Sequence, residues 1–209
     1  MQSLVVGAHD VVEIARAIGY GELMDRVIGA VRGAFARRDG ARDDTRARDG
    51  FLMGDPAESC VEWMPHYRVG ESVTIKIVSY VPTNPKRSGL PTILGTVGRW
   101  DARTGHLVGL MDGVILTALR TGAASAVASQ HLAHAESTTL GIIGAGAQAV
   151  TQVHAITRLF PIERVLVFDT DNEVAATLAR RTKPLAAVDV QGASTKRIER
   201  GAPGSLNAG

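Results

Sequence analysis

Cysteine, long apolar runs and an excess of one charge are all missing from this sequence. Cys60 is the single cysteine among 209 residues, which excludes an internal disulfide and a multi-cysteine metal site. No stretch approaches the roughly 20 apolar residues that cross a bilayer, and no signal peptide is recognisable at the N-terminus. The 23 Lys and Arg residues nearly balance the 21 Asp and Glu residues, so nothing points to nucleic acid. We expect a cytoplasmic protein in a reducing compartment.

The first half of the chain changes from a helical to a strand pattern. Apolar residues recur at helical spacing over 10–35, and Gly19 with Gly21 is expected to divide this stretch into two helices. Residues 39–58 mix Arg with Asp and predict a solvated loop. Strands are predicted at 61–64, 73–81, 92–100 and 106–111, with a hairpin turn at 101–105 and a helix at about 117–132.

From residue 138 the order is strand, glycine turn, helix, strand, helix. The predicted elements are 139–143, 149–159, 164–168 and 172–181, with a possible third strand at 186–190. This βαβα series opens a parallel, doubly wound sheet. Residues 191–209 contain only two large apolar side chains, and this composition predicts disorder.

The glycine turn matches a dinucleotide-binding fingerprint. In Gly144-x-Gly146-x-x-Ala149, the first glycine permits a tight turn and the second lets the backbone approach a pyrophosphate. Amides at the start of the following helix would hold the phosphates, and Asp169 closes the next strand about twenty residues on. A carboxylate there favours NAD over NADP. The competing interpretations are a turn that serves packing alone and an Asp169 that only caps a helix.

Lys76 stands in the middle of a Val- and Ile-rich strand. Burial of an ammonium group is costly unless it is paired or faces a wet cleft, and partial burial favours the neutral amine needed for proton transfer. The alternative is a lysine on the solvent face of the strand. No spacing of the histidines suggests a metal site, and none is expected.

Several motifs, in order, resemble the ornithine cyclodeaminase/mu-crystallin family over about residues 45 to 180. They are Glu62-Trp-Met-Pro65, Thr74-Ile-Lys-Ile-Val78, Asn84, Gly89-Leu-Pro-Thr92, Thr104-Gly105, Met111-Asp-Gly113, Leu116-Thr-Ala-Leu-Arg-Thr121 and Ile143-Gly-Ala-Gly-Ala-Gln148. The stretch 80–95 also resembles the branch of the family that is named after tyramine oxidase.

The resemblance implies an α/β fold in which an N-terminal α+β substrate and dimerisation domain precedes a Rossmann domain. We expect the first domain at residues 1–120, the first half of the NAD-binding domain at 121–190, and a disordered or aberrant tail at 191–209. The family also implies a homodimer with a small amino acid or cyclic imine as ligand. Neither nucleic acid nor a membrane is an expected partner.

The resemblance assigns site residues by position. Lys76 matches the family lysine that exchanges protons with the substrate, and Glu62 matches a glutamate near the substrate amine, although an ion pair would explain Glu62 equally well. Arg120 matches an arginine that grips the substrate carboxylate beside the nicotinamide, and Arg46 is favoured over Arg48 as a second one. Thr92 and Ala147 with Gln148 match cofactor contacts, in addition to Gly144, Gly146 and Asp169.

The implied reaction moves hydride from the amino-acid Cα to NAD, loses ammonia and returns the hydride, as in ornithine to proline. The family's catalytic aspartate lies in the second Rossmann half, and no residue here matches it. We therefore expect a C-terminally truncated chain that is weakly active or inactive alone. The alternatives are an imine reductase or amino-acid dehydrogenase of the same family, a non-catalytic ligand-binding relative, and an inactive fragment.

Overall fold

The computed structural model describes residues 2–54 and 58–194, together with the backbone of residues 205–208. By contact, the chain forms two compact units. The first comprises Met1–Ile14 and Arg37–Thr117, and the second comprises Ala15–Ala36 and Ala118–Gly209.

Eleven strands and six helices make up the described residues. The strands are β1 (Leu4–Val6), β2 (Asp43–Thr45), β3 (Asp49–Met53), β4 (Ser59–Arg68), β5 (Ser72–Tyr80), β6 (Ile93–Asp101), β7 (Leu107–Asp112), β8 (Thr139–Ile143), β9 (Arg164–Phe168), β10 (Asp189–Gly192) and β11 (Ser205–Ala208). The helices are α1 (Ala8–Ile18), α2 (Tyr20–Ala36), α3 (Asn84–Arg87), α4 (Val114–Leu132), α5 (Ala147–Thr157) and α6 (Asn172–Thr182).

The first unit is built on a seven-stranded sheet of order β1-β7-β6-β5-β4-β2, with β3 also paired to β4. Strands β4 to β7 form an antiparallel meander, which confirms the four strands predicted from sequence. The predicted hairpin turn is also confirmed. Asp101 accepts hydrogen bonds from the backbone N–H groups of Arg103 and Thr104 at 3.0 and 2.9 Å, and Gly105 has a φ of +71° that suits glycine.

The prediction of a loop throughout 39–58 is wrong, because this stretch contains β2 and β3. Tertiary pairing with β4 overrides the polar composition. On β2, the carboxylate of Asp43 accepts two hydrogen bonds from Arg68 at 2.6 and 2.8 Å, and on β3 the Phe51 ring packs edge-on against Trp63 at 5.5 Å between centroids. Strand β1 was not predicted either; its three residues pair with β7 in parallel.

The second unit contains a parallel sheet of order β10-β9-β8-β11, with α5 and α6 connecting its strands. This arrangement confirms the expected doubly wound fold, and β8, β9 and β10 follow one another as in a dinucleotide-binding half. The buried core includes Leu140, Val153, Ile156, Val165 and Leu178, all with a relative exposure of 0%.

Helix α2 groups with this second unit. The first unit is therefore interrupted in sequence between residues 14 and 37, so it is not one continuous stretch of residues 1–120. Met24 and Ile28 on α2 belong to the buried core, and Asp25 accepts two hydrogen bonds from Arg158 on α5 at 2.8 and 2.6 Å. The amphipathic pattern over 10–35 therefore reports two helices correctly, but it does not reveal which sheet each helix accompanies.

The sequence-based description of the tail needs correction at both ends. The third strand lies at 189–192, not at 186–190, and the backbone of 205–208 pairs with β8 as β11 although disorder was expected from 191 onward. An edge strand needs backbone hydrogen bonds on one side only, and it does not need large apolar side chains. The low apolar content of residues 191–209 therefore does not exclude a strand there. Residues 195–204 and 209 of the expected tail lie outside the described residues.

His154 on α5 gives the second unit a predicted sensitivity to acid. The side chain is 2% exposed, and its Nε2 atom has no hydrogen-bond partner among the described residues. Burial, and then the neighbouring Arg158, lower the pKa of His154 below its ordinary value, while Asp25 opposes this effect. The unfolded chain therefore binds more protons than the folded one below about pH 6.5, and stability falls as the pH decreases through that range.

Between pH 7.5 and 5.5 the free energy of unfolding in urea should decrease less in His154→Leu than in the wild type. The reason is that the leucine side chain cannot take up a proton. Urea unfolding of both proteins at the two pH values measures the effect. His131→Leu, at an exposed position near the end of α4, is the matched control. An equal loss of stability in the wild type and His154→Leu would contradict the expectation.

Among the described residues, no helix combines the length and the apolar character required to span a membrane.

Candidate functional site

The glycine turn between β8 and α5 has the geometry of a phosphate-binding loop. Gly144 adopts a φ of +91°, a conformation that other residues rarely adopt, and its N–H donates to the carbonyl of Phe168 at 2.8 Å. Gly146 is the N-cap of α5, and the amides of Ala147 and Gln148 come too early in the helix to have a carbonyl partner within it. Apart from the adjoining residues, no atom of the described residues lies within 4 Å of the place where a Cβ on Gly146 would stand. Packing therefore does not require glycine here, whereas the approach of a phosphate would.

Asp169, directly after β9, orders this turn. Its Oδ2 accepts a hydrogen bond from the Ala145 N–H at 2.6 Å, and its Oδ1 accepts one from the Asp171 N–H at 2.9 Å. These backbone donors, Asp171 first, hold the pKa of the Asp169 carboxyl below its ordinary value. Asp171 caps α6 instead, by accepting from the N–H groups of Glu173 and Val174. Asp169 is therefore not a helix cap.

Arg181 on α6 fixes the other side of the same turn. Its guanidinium donates to the carbonyl of Gly146 at 3.1 Å and also to the carbonyl of Ala145. Burial, and then the neighbouring Arg180, lower the pKa of Arg181 below its ordinary value, although the group stays cationic. With two carbonyls satisfied by Arg181, the turn is preorganised. The sequence alone did not identify this residue, because a basic side chain in the last turn of a helix is common.

Two further features next to the turn suit a nucleotide. The Oε1 atom of Gln148 is buried and lacks a hydrogen-bond partner among the described residues, which leaves it available to a ligand donor. A cavity of about 520 Å³ opens beside Asp169, between α6 and the ends of β9 and β10. Phe168, Asn172 and Gly192 are among its lining residues. Ligands of doubly wound folds bind at this carboxyl edge of the sheet.

Helix α4, which carries Arg120, contacts α5 in the second unit. A Cβ on Gly122 would lie 2.3 Å from the carbonyl oxygen of Thr151, so the two helices cross in backbone contact. Thr151 lies four residues into α5, and Arg120 is two residues before Gly122 on an exposed part of α4. The crossing therefore brings the part of α4 just after Arg120 into contact with the first half of α5. A glycine inside a predicted helix was the available signal for such contact.

In the first unit, Lys76 and Glu62 share one face of the sheet. Lys76 on β5 pairs with Met64 on β4, two residues from Glu62, so the two side chains are diagonal neighbours. Lys76 is half-buried, and its Nζ donates to the hydroxyl of Thr117, the fourth residue of α4, at 3.4 Å. The alternation predicted for β5 is confirmed, since Ile75 and Ile77 point to the opposite face.

The structure pairs Glu62 with Arg48 at 3.4 Å, whereas Arg46 forms its ion pair with Asp44 at 2.8 Å. Of the two candidate arginines, it is therefore Arg48 that contacts Glu62, a residue on the same sheet face as Lys76. Thr92 precedes β6 and its carbonyl accepts from the Val81 N–H at 2.8 Å. Within the described residues, no three His, Cys, Asp or Glu side chains are grouped so that they could hold a metal ion.

These features define a dinucleotide-binding protein in which a doubly wound unit accompanies a unit with a lysine and a glutamate on one sheet face. The profile of the ornithine cyclodeaminase/mu-crystallin family matches residues 8–200, and the chain belongs to this family.

Curated relatives with different activities share this similarity. The chain is 46% identical over 182 residues to L-lysine cyclodeaminase of Streptomyces rapamycinicus, covering 87% of this chain and 53% of the relative. It is 33% identical to a Δ1-pyrroline-2-carboxylate reductase of Bacillus cereus, covering 82% and 50%. It is 30% identical to ornithine cyclodeaminase of Agrobacterium fabrum, covering 84% and 48%. The chain thus spans about half the length of these relatives.

Solved structures agree with the fold. A lysine cyclodeaminase studied for its recognition of L-lysine, L-ornithine and L-2,4-diaminobutyric acid superposes with a TM-score of 0.84 at 48% identity, covering 92% of this chain and 56% of that one. The Thermococcus litoralis Δ1-pyrroline-2-carboxylate reductase, in complex with NADH and L-proline, gives 0.80 at 33% identity, covering 91% and 57%. An archaeal alanine dehydrogenase dimer with bound NAD gives 0.79 at 26% identity, covering 94% and 57%.

Proposed function

We propose that this protein is an NAD-dependent enzyme that moves hydride at the Cα of an α-amino or α-imino acid, with cyclodeamination of a diamino acid as its main reaction. The observation that carries the proposal is the half-buried ammonium of Lys76, placed on the same sheet face as the Glu62 carboxylate. A proton-transfer group beside an acceptor for a second ammonium is what a diamino substrate requires.

The glycine turn suits NAD as the cofactor. We assign the pyrophosphate to the turn at Gly144 and Gly146 and to the first amides of α5 at Ala147 and Gln148, and the adenosine half to the cavity beside Asp169. When bound, NAD supplies the hydride acceptor and donor. Thr92 is kept as a proposed cofactor contact on the basis of the family resemblance.

The polar side chains would act on the substrate. In the first unit, Arg48 is proposed, in preference to Arg46, to bind the α-carboxylate, for which a guanidinium fork is well suited. Arg120 is kept as a proposed carboxylate contact on the basis of the family resemblance alone. Lys76 would exchange a proton with the α-amine or imine. Glu62 would attract the distal ammonium, with its contact to Arg48 exchanged for one to the substrate.

Both L-lysine and L-ornithine fit this chemistry, and the greater similarity to the lysine enzyme favours L-lysine over the L-ornithine expected from the sequence. A second candidate is reduction of a cyclic imine such as Δ1-pyrroline-2-carboxylate. The similarity to a reductase that was solved with NADH and L-proline supports it.

Two assays on the protein separate these activities. Cyclodeamination releases ammonia from L-lysine or L-ornithine with catalytic NAD and no net NADH, whereas reduction consumes NADH stoichiometrically with the imine. Ammonia release with formation of the saturated cyclic amino acid is the expected result. If neither ammonia release nor NADH consumption occurs although NAD binds, the proposed catalytic function is wrong and a ligand-binding role is favoured.

We also propose that the protein forms a homodimer through the apolar face of the seven-stranded sheet, opposite Lys76. Val5, Phe51, Ile77 and Leu110 share this face by register, and their exposed fractions range from 37% to 69%. An exposed apolar face of this kind is typical of an interface. The dimeric alanine dehydrogenase relative is consistent with it.

Ile77→Glu is expected to shift the protein to monomer in sedimentation experiments, because it places a charge in the apolar face. Leu132→Glu is the matched control, since Leu132 is 86% exposed at the end of α4 and belongs to the second unit. A wild-type protein that is monomeric at high micromolar concentration, or a dimer that tolerates Ile77→Glu, would contradict the proposal.

A further inference from the structure

The first turn of α4 is held against the seven-stranded sheet by two glycines. The Gly113 N–H donates to the carbonyl of Gly95 on β6 at 2.7 Å, and a Cβ on Gly113 would lie only 3.0 Å from the Gly95 carbonyl carbon. The Asp112 carboxylate accepts from the Val114 N–H at 3.0 Å, which orders the turn that leads into the helix. The start of α4 is therefore fixed on the sheet face that carries Lys76.

Thr117 follows one turn later, and its side chain is directed at Lys76. Its backbone N–H donates to the Gly113 carbonyl at 2.8 Å, and the residue is 6% exposed. Its hydroxyl accepts from the Lys76 Nζ at 3.4 Å, across 41 residues of sequence. A buried hydroxyl aimed at a half-buried ammonium fixes the direction of that ammonium, which otherwise sits on a flexible four-carbon stem.

We propose that Thr117 is a positioning residue that orients the Lys76 amine for proton transfer. This inference rests on the proposed role of Lys76 and adds the group that sets its position. A β-branched side chain suits the task because the helix restricts its χ1 rotamers, so the hydroxyl is aimed by the backbone. Helix α4 then has a function beyond packing, since its first turn delivers the hydroxyl.

Replacement by valine tests the proposal, because valine keeps the shape of threonine and removes only the hydroxyl. We expect Thr117→Val to lower kcat on the order of tenfold, the size of a lost hydrogen bond to a charged group, with KM changed by less than about twofold. Thr117→Ser should restore most of kcat. Thermal unfolding of each variant shows whether the fold is retained.

A second measurement does not depend on turnover. The sequence contains four lysines, and Lys86 and Lys183 provide exposed internal references for Lys76. Trace acetylation by acetic anhydride, quantified by mass spectrometry, reports the relative reactivity of each amine. Thr117→Val should increase the rate of acetylation at Lys76 by about threefold or more. Without the threonine hydroxyl as an acceptor the ammonium form is less favourable, and the neutral amine is the form that reacts. Thr117→Ser should leave it near the wild-type value.

The two measurements separate failure of this inference from failure of the proposed function. If no substrate is turned over but Lys76 reactivity responds to Thr117→Val and not to Thr117→Ser, the proposed reaction fails and the positioning contact stands. If Lys76 reactivity is the same in all three folded proteins, the positioning role is overturned whatever the activity. Equal loss of kcat in the valine and serine variants would also overturn it.

Discussion

Replacement of Lys76 by methionine is expected to lower kcat/KM by about 10²- to 10⁴-fold, the range typical of a lost general acid or base. Methionine keeps much of the length and apolar volume of the lysine side chain, so packing on β5 should change little. The loss should therefore appear in turnover, measured as ammonia release from L-lysine or L-ornithine, while NAD binding and the unfolding midpoint stay near their wild-type values.

Lys86→Met is the matched control for this prediction, because Lys86 lies exposed on the short helix α3. Its activity should equal that of the wild type. If Lys76→Met retained a third or more of the wild-type kcat/KM, Lys76 would have no chemical role in the reaction.

Gly146→Ala is expected to weaken NAD binding by about 100-fold without destabilising the protein. The position has an ordinary φ of −64°, and an added Cβ would meet no atom within 4 Å in the part of the chain that the structure describes, apart from the adjoining residues. The methyl group would instead occupy space that a pyrophosphate needs in order to reach the backbone amides. Calorimetric titration with NAD measures the affinity, and thermal unfolding without NAD measures stability.

Gly122→Ala provides the opposite control in the same unit. Its Cβ would overlap the Thr151 carbonyl oxygen at 2.3 Å, so it should destabilise the fold by about 1–3 kcal/mol despite the better helix propensity of alanine. Together the two variants distinguish a glycine kept for a ligand from a glycine kept for packing. Destabilisation by Gly146→Ala, with unchanged NAD affinity, would show that the fingerprint serves packing alone.

The sequence predicted those parts of the fold whose pattern is local. Alternation over β5 identified both faces of the strand, so the opposite orientations of Lys76 and Ile77 followed from a period of two. The glycine spacing identified the turn between β8 and α5, because a tight turn and a helix start leave a mark in adjacent residues. Asp169 was found by its distance from that turn.

Other features depend on pairing partners that are remote in sequence. Strand β2 is made of Asp43-Asp-Thr45, a polar stretch that extends only because β4 supplies its hydrogen bonds and Arg68 its charge partner. The choice between Arg46 and Arg48 could not be made from spacing, since side-chain direction in an irregular loop is set by tertiary contacts. Arg181 and Thr117 were missed for the same reason.

The Asp169 carboxylate orders the glycine turn and also lies beside the proposed place of the adenosine half of NAD. This combination affects any attempt to engineer the preference for NAD over NADP. Substituting this aspartate to admit a 2′-phosphate would also remove the acceptor for the Ala145 N–H, whereas the hydrogen bond from Arg181 to the carbonyl of the next peptide group would remain. A designer would therefore have to supply a neutral acceptor at the same place, such as asparagine, before adding a cation nearby. Under the proposed role of Asp169 at the adenosine end of NAD, cofactor preference and the rigidity of the glycine turn depend on one side chain and would have to be redesigned together.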